Sequence, residues 1–328
     1  MSVMSQAIPG GTTPPVSVVV VTYRSQGEIA GCLASVRAVA REIPLEVVVV
    51  DNASDDGTVS VVRQDYAEVA MRVNERNLGF ASGCNAGIGM TAGECVLLLN
   101  PDARLHPGTL SALIAYLHAH PEVGIVGPAM EAPSGALQPD ISATGLFPSF
   151  IQALFEYTRL GRWFPTSRWV RDYFLAGVDR RSAGRVAMVQ GACLLVRREV
   201  LRQVGPLDER FFLYFEETDL CKRAGDAGWQ THYVGNVAVT HTGAGSSADR
   251  RPLAREFIRS LYAFHRKHYG FLEAAALWTI LAPYHLVKTV RLWIESRRHP
   301  DDQRLRSDLQ VIAERCVAHV QMLVARRS

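Results

Sequence analysis

Three runs, Val16–Val21, Leu45–Val50 and Glu94–Leu99, constrain this chain more than any other feature. They are aliphatic at almost every position, so neither alternate face is suited to water. Strands of that kind are buried on both sides, as in a parallel sheet covered by helices. The segments between them carry helical spacing. Ile29, Leu33, Val36 and Val39 line one side of 28–41, and further helices are expected over 57–66, Asn85–Thr91 and 108–119. Short strands fit near 69–73 and over Val123–Val126. Strands alternating with helices define an α/β fold with a mostly parallel sheet. Ligands of such sheets bind outside the carboxyl ends of the strands, and the chain's polar clusters fall at those ends.

The pattern changes over 147–185, where Phe155, Tyr157, Trp163, Phe164, Trp169, Tyr173 and Phe174 mix with Arg159, Arg162, Arg168 and Arg171. This stretch reads as an insert or lid. Strand-like VAMVQGACLLVRR follows at 186–198, then a helix over Glu199–Val204 and a turn at Gly205-Pro206. A helix over Glu216–Gly228 and a last strand over Thr231–Thr240 complete the α/β part. From Leu253 the spacing is helical to the end. The expected organisation is a flexible lead over 1–15, an α/β domain over 16–245 and a basic helical region over 246–328.

Residues 246–328 hold fifteen Lys and Arg against eight Asp and Glu, whereas 1–245 hold twenty against twenty-four. The basic character is confined to the tail. An acidic main domain and a tail without a recognition motif argue against a nucleic-acid partner. Six cysteines without CxxC or zinc-finger spacing fit a reducing cytosol better than a disulfide or zinc framework. The first fifteen residues lack the basic and apolar regions of a signal peptide. No stretch has eighteen uninterrupted apolar residues. With 48% hydrophobic residues, disorder is excluded.

Five clusters could carry chemistry. In DNASDDGT at 51–58, Asp51 and Asn52 can hydrogen-bond a base or ribose, and can equally close a strand-to-helix turn. In NLGFASGCN at 77–85, small residues let backbone approach a ligand closely. Asn85 opens the expected helix, whose N–H groups would face an anion; neither a GK[ST] ending nor GxGxxG is present. Asn100-Pro101-Asp102 reads both as a type I turn with Pro second and as a carboxylate suited to Mg²⁺ or Mn²⁺. In FFLYFEETDL at 211–220, helical geometry puts Glu216 and Asp219 on one face and Glu217 about 100° away. Acids there suit the helix dipole, and one held among aromatics would have its pKa raised toward the range of a general base. His241, ending the last strand, becomes a metal ligand if it faces Asp102.

In this order and spacing the set resembles the family 2 glycosyltransferases of GT-A fold, a Rossmann-like nucleotide-binding architecture, and in particular their rhamnosyltransferase-like branch. The resemblance runs from Val16 to about Ser246, with an echo in FHRKHYG at 264–270. It implies that Thr22 and Tyr23 meet the nucleotide, and that Asp51, Asn52, Asp56 and Gly57 hold uridine or thymidine. Asn77, Gly79, Phe80, Ala81 and Asn85 would lie beside the nucleotide and diphosphate. Asn100 and Asp102 occupy the place of the family's metal motif. Its first Asp is Asn here, so Mg²⁺ or Mn²⁺ would rest on Asp102, completed by His241. Gly191 and Ala192 would border sugar and acceptor. Glu217 would be the catalytic base, with Glu216 and Asp219 as neighbours, although the family more often has Asp at that place.

The reaction so implied is an inverting transfer from a nucleoside-diphosphate sugar, dTDP-rhamnose or a UDP-sugar, to a hydroxyl of a glycan or lipid-linked acceptor. It would serve cell-surface glycan or glycolipid assembly and needs no nucleophile on the protein. Two other readings compete with it. A nucleotidyltransferase would carry a Gly-rich basic loop where this chain has Thr22-Tyr23-Arg24-Ser25. A catalytically degenerate GT-A domain, serving as scaffold or sugar-binding partner, stays open because of Asn100 and Glu217.

Residues 271–294 are broken by Glu273, Pro283, Lys288 and Arg291 and do not read as a membrane span. They read as a segment packed on the catalytic domain, as an amphipathic helix in an anionic membrane interface, or as a homo-oligomer contact. The expected setting is cytoplasmic, peripheral at the inner face of the cell membrane.

Overall fold

The structure is a computed structural model that describes residues 16–138, 143–243 and 250–324. The expected lead over 1–15 lies outside them. By its contacts the chain divides into two units, the first comprising residues up to Phe147, Gly177–Glu209 and Glu216–Ser247.

In the first unit the strands are β1 (Val16–Thr22), β2 (Leu45–Asp51), β3 (Ala70–Val73), β4 (Cys95–Leu99), β5 (Ala103–Leu105), β6 (Val123–Glu131), β7 (Ala143–Thr144), β8 (Ala183–Val186), β9 (Met188–Val189), β10 (Cys193–Arg197) and β11 (Gln230–His241). Every residue of β1 and β4 is buried, as their unbroken aliphatic runs require. Among the described residues the main sheet runs β3-β2-β1-β4-β10-β6-β11-β5, with β8 added against β11. The first four strands are mutually parallel. β10 enters antiparallel between β4 and β6. β11 then runs parallel to β6 and antiparallel to β5. The sequence 186–198, read as one strand, is broken into the end of β8, then β9 and β10, with Gly191 and Ala192 at the last break.

Helices α1 (Ile29–Val39), α2 (Thr58–Asp65), α3 (Phe80–Gly89) and α4 (Thr109–Ala119) follow β1, β2, β3 and β5. α1 buries Ile29, Leu33, Val36 and Val39 against the sheet, the face its spacing indicated. α3 departs from expectation. It begins at Phe80 after Gly79, whose φ of 88° suits glycine, and Asn85 lies within the helix instead of opening it. The small residues serve packing against β1. A Cβ on Gly83 would stand 2.7 Å from Val21 Cγ1, and one on Gly87 2.4 Å from Val19 Cγ1.

The second unit gathers Pro148–Ala176, Arg210–Phe215 and the chain from Ala248 onward. Its helices are α5 (Phe150–Tyr157), α6 (Leu160–Trp163), α7 (Arg168–Tyr173), α10 (Arg250–His268), α11 (Phe271–Arg298) and α12 (Gln303–Val324). The aromatic stretch and the tail therefore pack together. Their shared core includes Phe211, Phe215, Leu261, Phe264, Leu277 and Leu281. α11 buries Ala274, Leu277, Leu281 and His285 on one side. Leu272, Ile280, Leu286, Val287, Val290 and Ile294 share the opposite side and are exposed, Leu272 to 81% and Val287 to 68%. No helix of the described residues is long and apolar enough to cross a membrane.

Candidate active site

The site is built at the carboxyl ends of β1, β2, β4 and β11, all in the first unit. The turn after β4 is the expected one, since Ala103 N–H donates to Asn100 O at 3.1 Å with Pro101 second. That turn delivers Asp102 to the start of β5, which pairs with the end of β11 in the register Ala103–His241. His241 Nε2 therefore stands 3.4 Å from Asp102 Oδ1, with both residues buried. His241 Nδ1 is also buried and has no hydrogen-bond partner among the described residues.

An imidazole nitrogen facing a carboxylate oxygen at 3.4 Å fits a divalent cation held between them. Two donors of one such ion, each at about 2.1 Å, lie about 3 Å apart when adjacent. One carboxylate and one imidazole suit Mn²⁺ better than Mg²⁺, which prefers oxygen throughout. Among the described residues no group of three His, Cys, Asp or Glu side chains could hold an ion alone, so substrate oxygens and water would complete the shell.

The acids sit on helix α9 (Glu216–Asp226), which follows α8 (Arg198–Val204) and leads to β11. Tyr214 and Phe215, immediately before it, both have φ of 69°, a conformation L-residues seldom adopt. Glu216 is buried with one carboxylate oxygen unpartnered, and burial, then the neighbouring Glu217, pushes it well above the ordinary carboxylate range. Glu217 is raised as well, by burial. Backbone N–H groups of Glu217, Thr218 and Gly191 donate to it and oppose that shift. Its other oxygen, Oε2, has no partner among the described residues. Gly191 lies against Glu217, since a Cβ there would stand 3.4–3.6 Å from the Glu217 side chain, an ordinary contact distance.

Gly191 also joins the acids to the Asp102 corner. The next residue, Ala192, accepts a hydrogen bond from Asn100 N–H at 2.9 Å, and β10 then continues against β4. Glu217, Gly191, Asn100, Asp102 and His241 thus form one continuous path.

Asp219, predicted as a neighbour of the base, is committed elsewhere. It is fully buried and accepts from Arg223 Nε at 2.7 Å. Arg223 in turn donates to the carbonyls of Val204, Gly205 and Pro206 at the end of α8. Asp219 and Arg223 are positioning residues that fix the pitch of α9. Arg223 was missed, although its i,i+4 spacing from Asp219 was a readable signal.

The nucleotide-side residues are largely spent on one another. Asp51 accepts from Thr22 Oγ1 at 2.8 Å and from Ser54 N–H and Oγ at 2.8 and 2.6 Å. Asn52 donates to Gly79 O and accepts from Asn74, both at 2.9 Å. Asp56 accepts from Thr58 and from Gln26 N–H, which hold its carboxyl below its usual value against the opposing effect of burial. Gly57 N–H donates to Gln26 Oε1 at 3.0 Å. These bonds stitch the loops after β1 and β2 into one rim, on which Tyr23 and Asn77 remain partly exposed. Asn77 closes its own turn by accepting from Gly79 N–H at 2.9 Å, and Phe80 and Ala81 follow as the first residues of α3. Asn85 bonds Leu207 and Glu209 instead of aiming at an anion.

A mostly parallel sheet with a rim of loops at its carboxyl ends, a carboxylate–imidazole corner and a pair of raised acids are the parts of an α/β enzyme whose ligand binds at the strand ends. The profile of the family described as "Glycosyltransferase like family 2" matches residues 14–259, and the chain belongs to the family 2 glycosyltransferases. It is 33% identical over 282 residues to the N-acetylglucosaminyl-diphospho-decaprenol L-rhamnosyltransferase of Mycobacterium tuberculosis, covering 82% of this chain and 90% of that one. It is 27% identical over 214 residues to the low-salt glycan biosynthesis hexosyltransferase Agl10 of Haloferax volcanii, covering 63% and 61%. Among solved structures, the mannosyltransferase PcManGT of Pyrobaculum calidifontis, in complex with GDP-Man and Mn²⁺, has a TM-score of 0.51 at 19% identity, covering 95% of this chain and 88% of that one. GalNAc-T7 with UDP, GalNAc and Mn²⁺ has a TM-score of 0.52 at 13% identity, covering 76% and 48%. These two likenesses establish the GT-A fold.

Proposed function

We propose that this chain transfers a sugar, with inversion, from a nucleoside-diphosphate sugar to a hydroxyl of a lipid-linked glycan acceptor. The donor we favour is dTDP-rhamnose, with UDP-sugars next, because the relative covering most of both chains is a rhamnosyltransferase acting on a diphospho-decaprenol substrate. The observation that carries the reading is the continuous path from Glu217 across Gly191 to Asp102 and His241.

Each residue then has a task. Glu217 is the general base. Burial raises its proton affinity, its buried Oε2 has no partner among the described residues, and it takes the proton of the acceptor hydroxyl as the hydroxyl oxygen attacks the anomeric carbon. A single displacement inverts the anomeric centre and requires no protein nucleophile. Glu216, raised further, holds its proton more tightly than Glu217 does. Asp219 and Arg223 hold the helix that carries both. Asp102 and His241 would hold Mn²⁺ or Mg²⁺, which when bound neutralises charge on the departing nucleoside diphosphate. The loops carrying Tyr23 and Asn77 form the rim against which the nucleotide lies. The outward apolar side of α11, with Arg291, Arg297 and Arg298 beside it, favours work at an anionic membrane surface.

The test is release of nucleoside diphosphate from a panel of sugar nucleotides, with a polyprenyl-diphosphate-linked acceptor and Mn²⁺. The product's anomeric configuration is read by NMR. Glu217→Gln should retain donor binding and lose at least about two orders of magnitude in turnover. Unimpaired turnover in that variant removes Glu217 as the base. No release from any donor leaves the degenerate scaffold as the better description.

A further inference from the structure

Asp102 is half of the carboxylate–imidazole corner, and the turn that carries it is held from two sides. On one side β5 pairs with β11, in the register that brings Ala103 opposite His241. On the other side lies α1, whose side chains reach the same segment at helical spacing. Gly31, Cys32 and Ser35, with Glu28 just before the helix, fall within about 100° of one another around its axis.

Each of the four meets the chain between Asn100 and Leu105. Cys32 is fully buried, and its thiol donates to Asn100 O at 3.5 Å. Ser35 donates its hydroxyl to Cys32 O at 2.6 Å, and its oxygen accepts from Leu105 N–H at 3.0 Å. Leu105 is buried, and among the described residues β5 is the last strand in the order of the main sheet. An N–H on its outer edge therefore has no neighbouring strand to receive it, and Ser35 takes that place. At Gly31 a Cβ would stand 2.7 Å from Nε of Arg104, so the missing side chain lets that guanidinium lie across the helix. Its Nη2 is 3.6 Å from Glu28 Oε2.

The bonds from Cys32 and Ser35 anchor the backbone two residues before Asp102 and three residues after it. β5 itself is three residues long and has few bonds of its own to fix that stretch. A pair of ion-holding side chains keeps its geometry only when the backbone beneath it is fixed to about 0.5 Å. β11 supplies that for His241. For Asp102 the bonds that do so come from α1.

We propose that Ser35 and Cys32 are positioning residues for the divalent cation of the Asp102–His241 corner, fixing from α1 the turn that sets the spacing of the two side chains. This rests on the reading that the corner holds Mn²⁺ or Mg²⁺, and it adds that a helix contributing no donor to the ion decides how tightly the ion is held.

The probe is Mn²⁺, titrated into the full chain with dTDP and, separately, with UDP, its uptake read by water-proton relaxation. Asp102→Asn sets the background. Ser35→Ala strips Leu105 N–H of its acceptor and should weaken Mn²⁺ binding about tenfold, and Ser35→Thr, which keeps a hydroxyl, should restore most of it. Cys32→Ala should weaken binding in the same direction, and Cys32→Ser should restore it. Alanine is the stronger helix former, so Ser35→Ala keeps α1, and thermal melts verify the fold of each variant. Gly87→Ala, loosened by its contact with Val19, should hold Mn²⁺ as wild type does. Unchanged Mn²⁺ affinity in both alanine variants overturns the proposal. An equal loss in Gly87→Ala also overturns it, since general loosening would then be enough. A wild type that takes up no more Mn²⁺ than Asp102→Asn removes the metal reading itself, a different result from a wild type that binds while its Ser35→Ala variant binds equally well.

Discussion

Mild acid should loosen the helical unit through two buried histidines. His285 on α11 and His319 on α12 face each other, Nδ1 to Nε2, at 2.8 Å, and both are buried. Tyr262 Oη stands 3.3 Å from the other nitrogen of His319. Burial, then the charge of Arg315, holds His285 down at about 3 and His319 at about 4, against an ordinary 6.5. An unfolded chain binds protons at both residues as pH falls through about 6.5, whereas the folded chain does not. The stability is therefore whole above that value and is lost progressively below it. Each pH unit removes about 1.4 kcal/mol per independent histidine. The two rings share a hydrogen bond, so their titrations are coupled. From about pH 6.5 to about pH 5 the loss is about 4 kcal/mol if the folded pair takes up no proton and about 2 kcal/mol if it takes up one, since the unfolded chain takes up two in either case. Either figure is a large part of a typical domain's stability of about 5–15 kcal/mol. The measurement is urea unfolding at about pH 7 and about pH 5, with amide hydrogen exchange reporting on α11 and α12. Wild type should show the slope, and His285→Leu/His319→Leu should flatten it to the residue left by His265, which burial also holds down. An equal acid slope in wild type and double variant would refute the reasoning.

Asp219→Ala leaves the guanidinium of Arg223 without its buried carboxylate and should cost about 3–5 kcal/mol in denaturant unfolding; a loss below about 1 kcal/mol would show that the carbonyls at the end of α8 suffice. Gly87→Ala sets a methyl against Val19 and should destabilise by about 1–3 kcal/mol despite alanine's better helix propensity. A more stable variant, read by thermal melt, would mean that β1 and α3 part without cost. Flotation with vesicles containing phosphatidylglycerol should recover the wild-type chain, and Leu286→Glu/Val290→Glu should abolish it. A wild-type chain that stays at the bottom of the gradient removes the membrane placement.

The parallel half of the sheet could be read directly. Val16–Val21, Leu45–Val50 and Glu94–Leu99 have no polar face, and burial on both sides was their only outcome. The direction of β10 could not be read, because Cys193–Arg197 would be as apolar in either orientation. α3 was placed late because its glycines and small residues carry poor helix propensity. What they supply, close approach to β1, appears only once β1 is beside them. At the site, Asp102, His241 and Glu217 stood out as polar residues at strand ends and a helix start and took their expected roles from resemblance, while the path through Gly191 that joins them depends on an antiparallel strand no pattern announced. Thr22, Asp51 and Asn52 were read as facing a nucleotide, since polar groups at strand ends look alike whether they bond a ligand or each other.

Tyr214 and Phe215 adopt the left-handed conformation one after the other, at a cost of roughly 1–2 kcal/mol each. Glycine at either place would relax the backbone, but it would also delete an aromatic ring from the helical core to which Phe215 belongs. The bend that launches the acid-bearing helix is therefore a tensioned spring clamped by its own side chains. A substitution that slackens it gives up about 3–5 kcal/mol of aromatic packing to release roughly 1–2 kcal/mol of strain, which is why the sequence keeps two bulky residues where glycine would sit easily.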